Sequence, residues 1–136
     1  MWSRFRKDTR GAAAIEFGII ASLLTMFLLG VVEFGFIFYT QNTAQNAARD
    51  AARRFATNRI TSQQAKDAVL AQMPGWASAN TTVTVSETTP GAPATNLITV
   101  TVSLPALKAT PSNFLRAAYE SKTFQSKAVV QQEVVP

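Results

Sequence analysis

The chain has 136 residues, enough for one ordinary domain, and contains neither Cys nor His. Disulfides and thiolate metal sites are thereby excluded, and the commonest general base and metal ligand are missing. A formal charge of +5 would fit a binder of nucleic acid or of an acidic surface. The charge is uneven, however. Arg4, Arg6, Lys7 and Arg10 precede Gly11 with only Asp8 against them, and the remainder holds nine Lys/Arg against seven Asp/Glu. A basic block ahead of an apolar run is the pattern of a cytoplasmic membrane flank.

The apolar run follows at once. Phe17 to Val32 is sixteen residues without a charge, and counting on to Tyr39, with Glu33 as the one interruption, gives twenty-three. At about 1.5 Å per residue, a helix of that length crosses a hydrocarbon core of roughly 30 Å. The chain is too small to enclose such a helix as the core of a soluble protein. A cleaved secretory signal would have a shorter apolar region ending in small residues. Here the run passes instead through Phe34, Phe36, Phe38 and Tyr39 into "TQNTAQNAARDAAR". The segment therefore reads as retained, with the N-terminus in the cytoplasm and the aromatic residues Phe36, Phe38 and Tyr39 suited to the outer interface.

Two acids lie in this apolar stretch, and an acid inside a membrane is functional by default. Glu16 sits near the cytoplasmic end, in the first turns of the helix, where the macrodipole favours it. The pattern around it is specific: basic residues, Gly11, four small or apolar residues, Glu16-Phe17, then a long apolar helix. It resembles the class III signal of type IV pilins. The later "GVVEFGFIFY" and "QNAARDAARRFA" extend the likeness to the TadE-type minor pilins of tight-adherence (Tad) systems, over roughly residues 4 to 59. Major pilins of these systems are much shorter, and the related TadG-type proteins are far longer.

The resemblance implies that a prepilin peptidase cuts between Gly11 and Ala12, removing residues 1–11. Glu16 then becomes the fifth residue of the mature chain and pairs with the N-terminal amine of a neighbouring subunit. Two charges that are costly in apolar surroundings become tolerable when they neutralise one another. The partners implied are that peptidase, the major pilin and other minor pilins, the inner-membrane assembly platform and membrane lipid, with no nucleic acid. The place implied is the bacterial inner membrane, crossed once, with the C-terminal body outside the cytoplasm. Ala14, Gly18 and Ser22 follow a small-xxx-small spacing that lets another helix approach. Glu33-Phe34-Gly35 repeats the triplet of residues 16–18, nearly five turns on. Two readings of Glu33 stay open: a carboxyl reaching the outer headgroups, or a contact with another subunit.

Beyond the membrane the helix is expected to run to about residue 58. Ala44, Ala47, Ala48, Ala51, Ala52, Phe55 and Ala56 form one stripe, and Asp50 can pair with Arg54 one turn later. Arg49, Arg53, Arg54 and Arg59 lack interleaved aromatics and read as a solvated face rather than a nucleic-acid patch. Thr61 and Gln64 resemble a capping box opening a short helix over 62–73, halted by Pro74-Gly75. "TTVTVSE" (81–87) and "LITVTVSL" (97–104) alternate as strands joined by the loop "TTPGAPATN". A third strand is expected over 123–133, with Phe124, Ala128 and Val130 inward and Val129 off the pattern.

The fold class is thus α+β: a leader (1–11), a transmembrane or filament-core helix (12–39), and a head (40–136) in which the continuing helix packs on a small antiparallel three-stranded sheet. Asp50, Asp67, Glu87, Glu120 and Glu133 are scattered, and Ser121-Lys122 and Ser126-Lys127 are sequence neighbours that a strand would point to opposite faces. No catalytic, cofactor or metal site is expected. A signal-anchored single-pass protein with a small extracytoplasmic binding domain is the alternative, and an uncut leader would favour it.

Overall fold

The structure, a computed structural model, describes residues 9–133, so the leader residues Arg4, Arg6 and Lys7 lie outside it. In chain order the elements are α1 (Thr9–Ala56), α2 (Ser62–Gln72), α3 (Gly75–Ser78), β1 (Thr82–Glu87), β2 (Leu97–Pro105), a 3-10 turn (Ala106–Lys108), α4 (Arg116–Tyr119) and β3 (Thr123–Gln131). The class is α+β. The chain divides into two compact units between Val32 and Glu33.

The first unit is the N-terminal part of α1. Nearly all its side chains from Gly11 to Val32 are exposed, among them Ile15, Phe17, Leu23, Leu24, Phe27 and Leu28. Its two polar residues outside the acid satisfy themselves locally. Ser22 donates to the Gly18 carbonyl (2.7 Å) and Thr25 to the Ala21 carbonyl (2.8 Å). Such back-bonding satisfies both hydroxyls without water, as a helix able to cross a membrane requires. This is the chain's one described helix long and apolar enough to cross a membrane, and its most apolar window is wholly unburied.

The second unit begins with the C-terminal part of α1. Ala44, Ala47, Ala48, Ala51, Ala52 and Ala56 are buried and Phe55 is half-buried, so the expected stripe is the helix's core face. The sheet has the order β1-β2-β3, antiparallel throughout, with Val85 opposite Val100 and Val100 opposite Ala128. Strand alternation sends Ile98, Val100, Val102 and Leu104 of the central strand into the core, with Ala128 beside them from β3. Val129 is exposed, on the opposite face from Ala128. Because the helix presents mostly methyl groups from Ala44 onward, the bulk of the core comes from the strands, each fully buried Val, Ile or Leu being worth about 1.5–3 kcal/mol. The α2 helix packs on β1, and Gln72 reaches back to Asp50 on α1 (3.4 Å).

Local chemistry sets the boundaries. The α1 helix ends in a Schellman arrangement: Arg59 N–H donates to the Arg54 carbonyl and Asn58 N–H to the Phe55 carbonyl, with Asn58 at φ 54°. Asn is among the few residues other than Gly that take that left-handed position readily. The α2 helix opens with the expected capping box, Thr61 and Gln64 each bonding the other's backbone N–H. Pro74-Gly75 ends α2 but also starts the single turn α3, which brings Trp76 back towards α1. The β1–β2 loop is fastened by buried Asn96, whose amide donates to Glu87 (2.8 Å) and Gln132 (2.9 Å) and accepts from Thr89 N–H (3.0 Å).

The helix–sheet contact predicts a size limit at the stripe. Ala48→Leu should destabilise the head by about 1–3 kcal/mol through overpacking. Arg49→Ala, at the next, exposed position, should stay within about 0.5 kcal/mol. Thermal melting of the two full-length variants in detergent measures both, and equal midpoints would contradict the packing described.

Candidate functional site

Two groups of residues on α1 invite a functional reading, one in each unit. In the first unit Gly11, Ala12, Ala14, Glu16, Gly18 and Ser22 are all helical and all exposed. Ala12 and Glu16 are one turn apart, while Ala14, Gly18 and Ser22 recur at every fourth residue and so share a face. A side chain added at Gly11 or Gly18 would meet nothing within 4 Å. Neither glycine is therefore required by packing inside the chain, and any demand for smallness there comes from outside it. Glu16 has no ion-pair partner among the described residues.

Glu33 stands differently. It is fully buried, at 0% exposure, within the compact unit that it opens. One carboxylate oxygen accepts a hydrogen bond from the Tyr119 hydroxyl and the other from the Ser112 hydroxyl. The expectation of a carboxyl reaching the outer headgroups is therefore corrected, and Glu33 presents no surface to another subunit. The reason is that the segment after β2 descends along α1 further than sequence periodicity had indicated. At its upper end the Ala109 carbonyl accepts from Thr40 Oγ1 (2.7 Å) and from Trp76 Nε1 (3.3 Å). At its lower end Ser112 and Tyr119 close on Glu33. Trp76 stacks edge-on against Phe36, centroids 5.6 Å apart, and lies tilted beside Tyr39 at 6.3 Å. Phe36 is thus partly covered, whereas Phe38 and Tyr39 remain exposed.

A signal for this was present in the sequence. Carrying the alanine stripe back from Ala44 by helical steps gives Thr40, Ile37 and Glu33, all buried. The partners, 79 and 86 residues away, had no such signal.

Several of the remaining charged groups are occupied locally. Asp50 pairs with Arg54 at 2.9 Å, as expected, and Glu120 with Arg116 at 2.7 Å, while Asp67 accepts from Gln63. Arg53, Arg54 and Arg59 line an open cleft whose walls also include Asp50 and Glu133, so its charge is mixed rather than basic. Among the described residues no group of His, Cys, Asp or Glu is placed to hold a metal.

Comparison with known families gives one match. The sequence model of the TadE-like protein family matches residues 11–53. The part of the chain that resembles TadE-like proteins is thus its N-terminal third. Its match begins at Gly11 and takes in Glu16, Glu33 and most of the alanine stripe. The matched segment contains most of the helix that is long and apolar enough to cross a membrane. No curated protein and no solved structure matches the chain.

The buried carboxylate predicts coupled losses. Tyr119→Phe removes a hydrogen bond to a charged group and should cost about 1.5–3 kcal/mol. Glu33→Ala should cost at least as much, because it strands the Tyr119 hydroxyl in the interior. In the double variant the losses should fall short of additive by about 0.5 kcal/mol or more. Strict additivity in denaturant or thermal unfolding would show that the two side chains do not act on one another.

Proposed function

We propose that this chain is a minor pilin, or pseudopilin, of a Tad-type type IV pilus used in adherence and surface attachment. In this reading it inserts with its N-terminus in the cytoplasm, loses residues 1–11 to a prepilin peptidase, and joins or primes the fibre through α1. The observation that carries the reading is the TadE-like match starting at Gly11, with Glu16 five residues on, along a helix whose side chains are open to a neighbour.

The division of labour follows from chemistry. Cleavage after Gly11 frees the amine of Ala12, cationic at neutral pH since an α-amino group titrates near 7.7–8.0. Glu16 of one subunit then faces that amine on the next, and each offsets the other's desolvation as the helix leaves lipid for the fibre. Ala14, Gly18 and Ser22 give the approaching helix a shallow surface to lie against. The major pilin, other minor pilins and the assembly platform are the partners of this surface. The head has no part in the pairing and is displayed outside the cytoplasm. The work is mechanical, and no catalytic step is assigned to the chain.

Two substitutions separate processing from assembly. Gly11→Trp should block cleavage, leaving a precursor heavier by the eleven-residue leader on a gel. Glu16→Ala should be cleaved normally yet be depleted from the sheared pilus fraction by about tenfold or more, the equivalent of some 1.4 kcal/mol per contact. A cleaved Glu16 variant that assembles at the normal level would remove the pairing mechanism.

A further inference from the structure

The base of the head carries an aromatic surface at the level of the helix where hydropathy alone would place lipid. We infer that this surface, formed by Trp76 and Phe114 of the head with Phe34, Phe38 and Tyr39 of α1, is seated in the headgroup region of the bilayer that the helix crosses. The occupant is phospholipid.

The level follows from contacts within the second unit. The segment after β2 meets α1 at Thr40 through Ala109 and at Glu33 through Ser112 and Tyr119. Seven residues of helix separate those contacts, about 10 Å of axial descent. Phe114 lies two residues beyond Ser112, next to Asn113, whose φ of 54° turns the chain there. It is 43% exposed, and the following contact, Tyr119 on Glu33, is still at the bottom of the segment. Phe34 is one residue from Glu33 on the helix and is half-exposed. Trp76 retains 37% exposure although its ring packs on Phe36 and its N–H is already used by Ala109.

Five exposed aromatics thus fall in this part of the second unit: Phe34, Phe38 and Tyr39 on α1, Trp76 beside Tyr39, and Phe114 two residues from the Ser112 contact with Glu33. Grouped exposed aromatics of this kind are unusual on a water-facing surface and usual at a membrane interface. Lys108, exposed and adjacent to Ala109, stands at the upper tier, where an ammonium meets headgroup phosphates while its stem lies along apolar surface. The burial of Glu33 fits the same arrangement. A carboxylate at this depth would face hydrocarbon or headgroups on a bare helix, and the descending segment supplies it with two hydroxyl donors instead. On this account the lipid-crossing stretch ends near Val32, and the base of the head occupies the outer interface.

The test uses the full chain with Trp2→Phe, leaving Trp76 as the sole tryptophan. The variant is reconstituted in phosphatidylethanolamine–phosphatidylglycerol vesicles whose acyl chains carry bromine at shallow or deep positions. Trp76 emission should be quenched by shallow bromines, less by deep ones, and weakly by aqueous iodide. Phe114→Asp should reduce shallow-bromine quenching while leaving the melting midpoint of the head close to that of the parent. Iodide quenching with no effect of bromine at any depth, or no quenching by either, would overturn the proposal, the second outcome pointing to cover by protein. The inference rests on the membrane-crossing reading of α1 but not on the pilin assignment. A chain that fails to float with the vesicles would defeat both the crossing and the seat. A chain that floats without bromine quenching defeats the seat alone.

Discussion

The continuity of one helical stripe orders the second unit. From Glu33 through Ile37, Thr40 and Ala44 to Ala56, successive turns of α1 bury the same face. From Ala44 onward that face carries almost nothing larger than a methyl group. A stripe of small residues contributes little bulk, so it obliges the sheet to supply it, and β2 does so with Ile98, Val100, Val102 and Leu104. The same smallness leaves the strands free to settle on the helix without displaced side chains, which is how close packing is reached in a core of this size. The α2 helix and the capping box at Thr61 then close the side of the core next to β1.

At its lower end the stripe changes character, from alanine to a threonine and a carboxylate. Buried polar groups are tolerated when their hydrogen bonds are complete, and here they are. Thr40 donates to Ala109, and Glu33 accepts from Ser112 and Tyr119. These bonds fasten a segment with little regular structure, the 3-10 turn and the short helix α4, to the helix that carries the head. An acid that looks anomalous in an apolar sequence is, in the fold, the fastening point of the head's lowest segment. Glu16, which repeats the same Glu-Phe-Gly triplet, has no such enclosure and is left exposed on the helix. The two copies of one local motif therefore have different physical roles: one is satisfied inside the chain, the other is open to a partner.

The difference between what was and was not legible in the sequence follows from range. Features governed by neighbours a few residues away could be read directly: the apolar run, the alanine stripe, the capping box at Thr61 and Gln64, the strand alternation through β2, and the Asp50–Arg54 pair. The expected end of α1 near 58 differs from Ala56 only because Asn58 adopts a left-handed cap. Placing the start of the head at residue 40 missed the contacts of residues 33–40, because these depend on groups at Trp76, Ala109, Ser112 and Tyr119 that no local period connects to α1. For the same reason neither reading of Glu33, outer headgroups or a contact with another subunit, included its burial within the chain. The Glu16 motif is the opposite case. In the proposed reading its partners are a peptidase and a neighbouring subunit, and the fold of a single chain does not speak to either.

In the proposed reading, membrane crossing, processing and assembly converge on the bond between Gly11 and Ala12. N-terminal sequencing of the protein extracted from membranes, with the prepilin peptidase present and with it deleted, tests the account most directly. A mature chain beginning "AAAIEFGII" only when the peptidase is present is the predicted result. A chain that keeps the leader residues in both strains would contradict it and would favour a signal-anchored membrane protein.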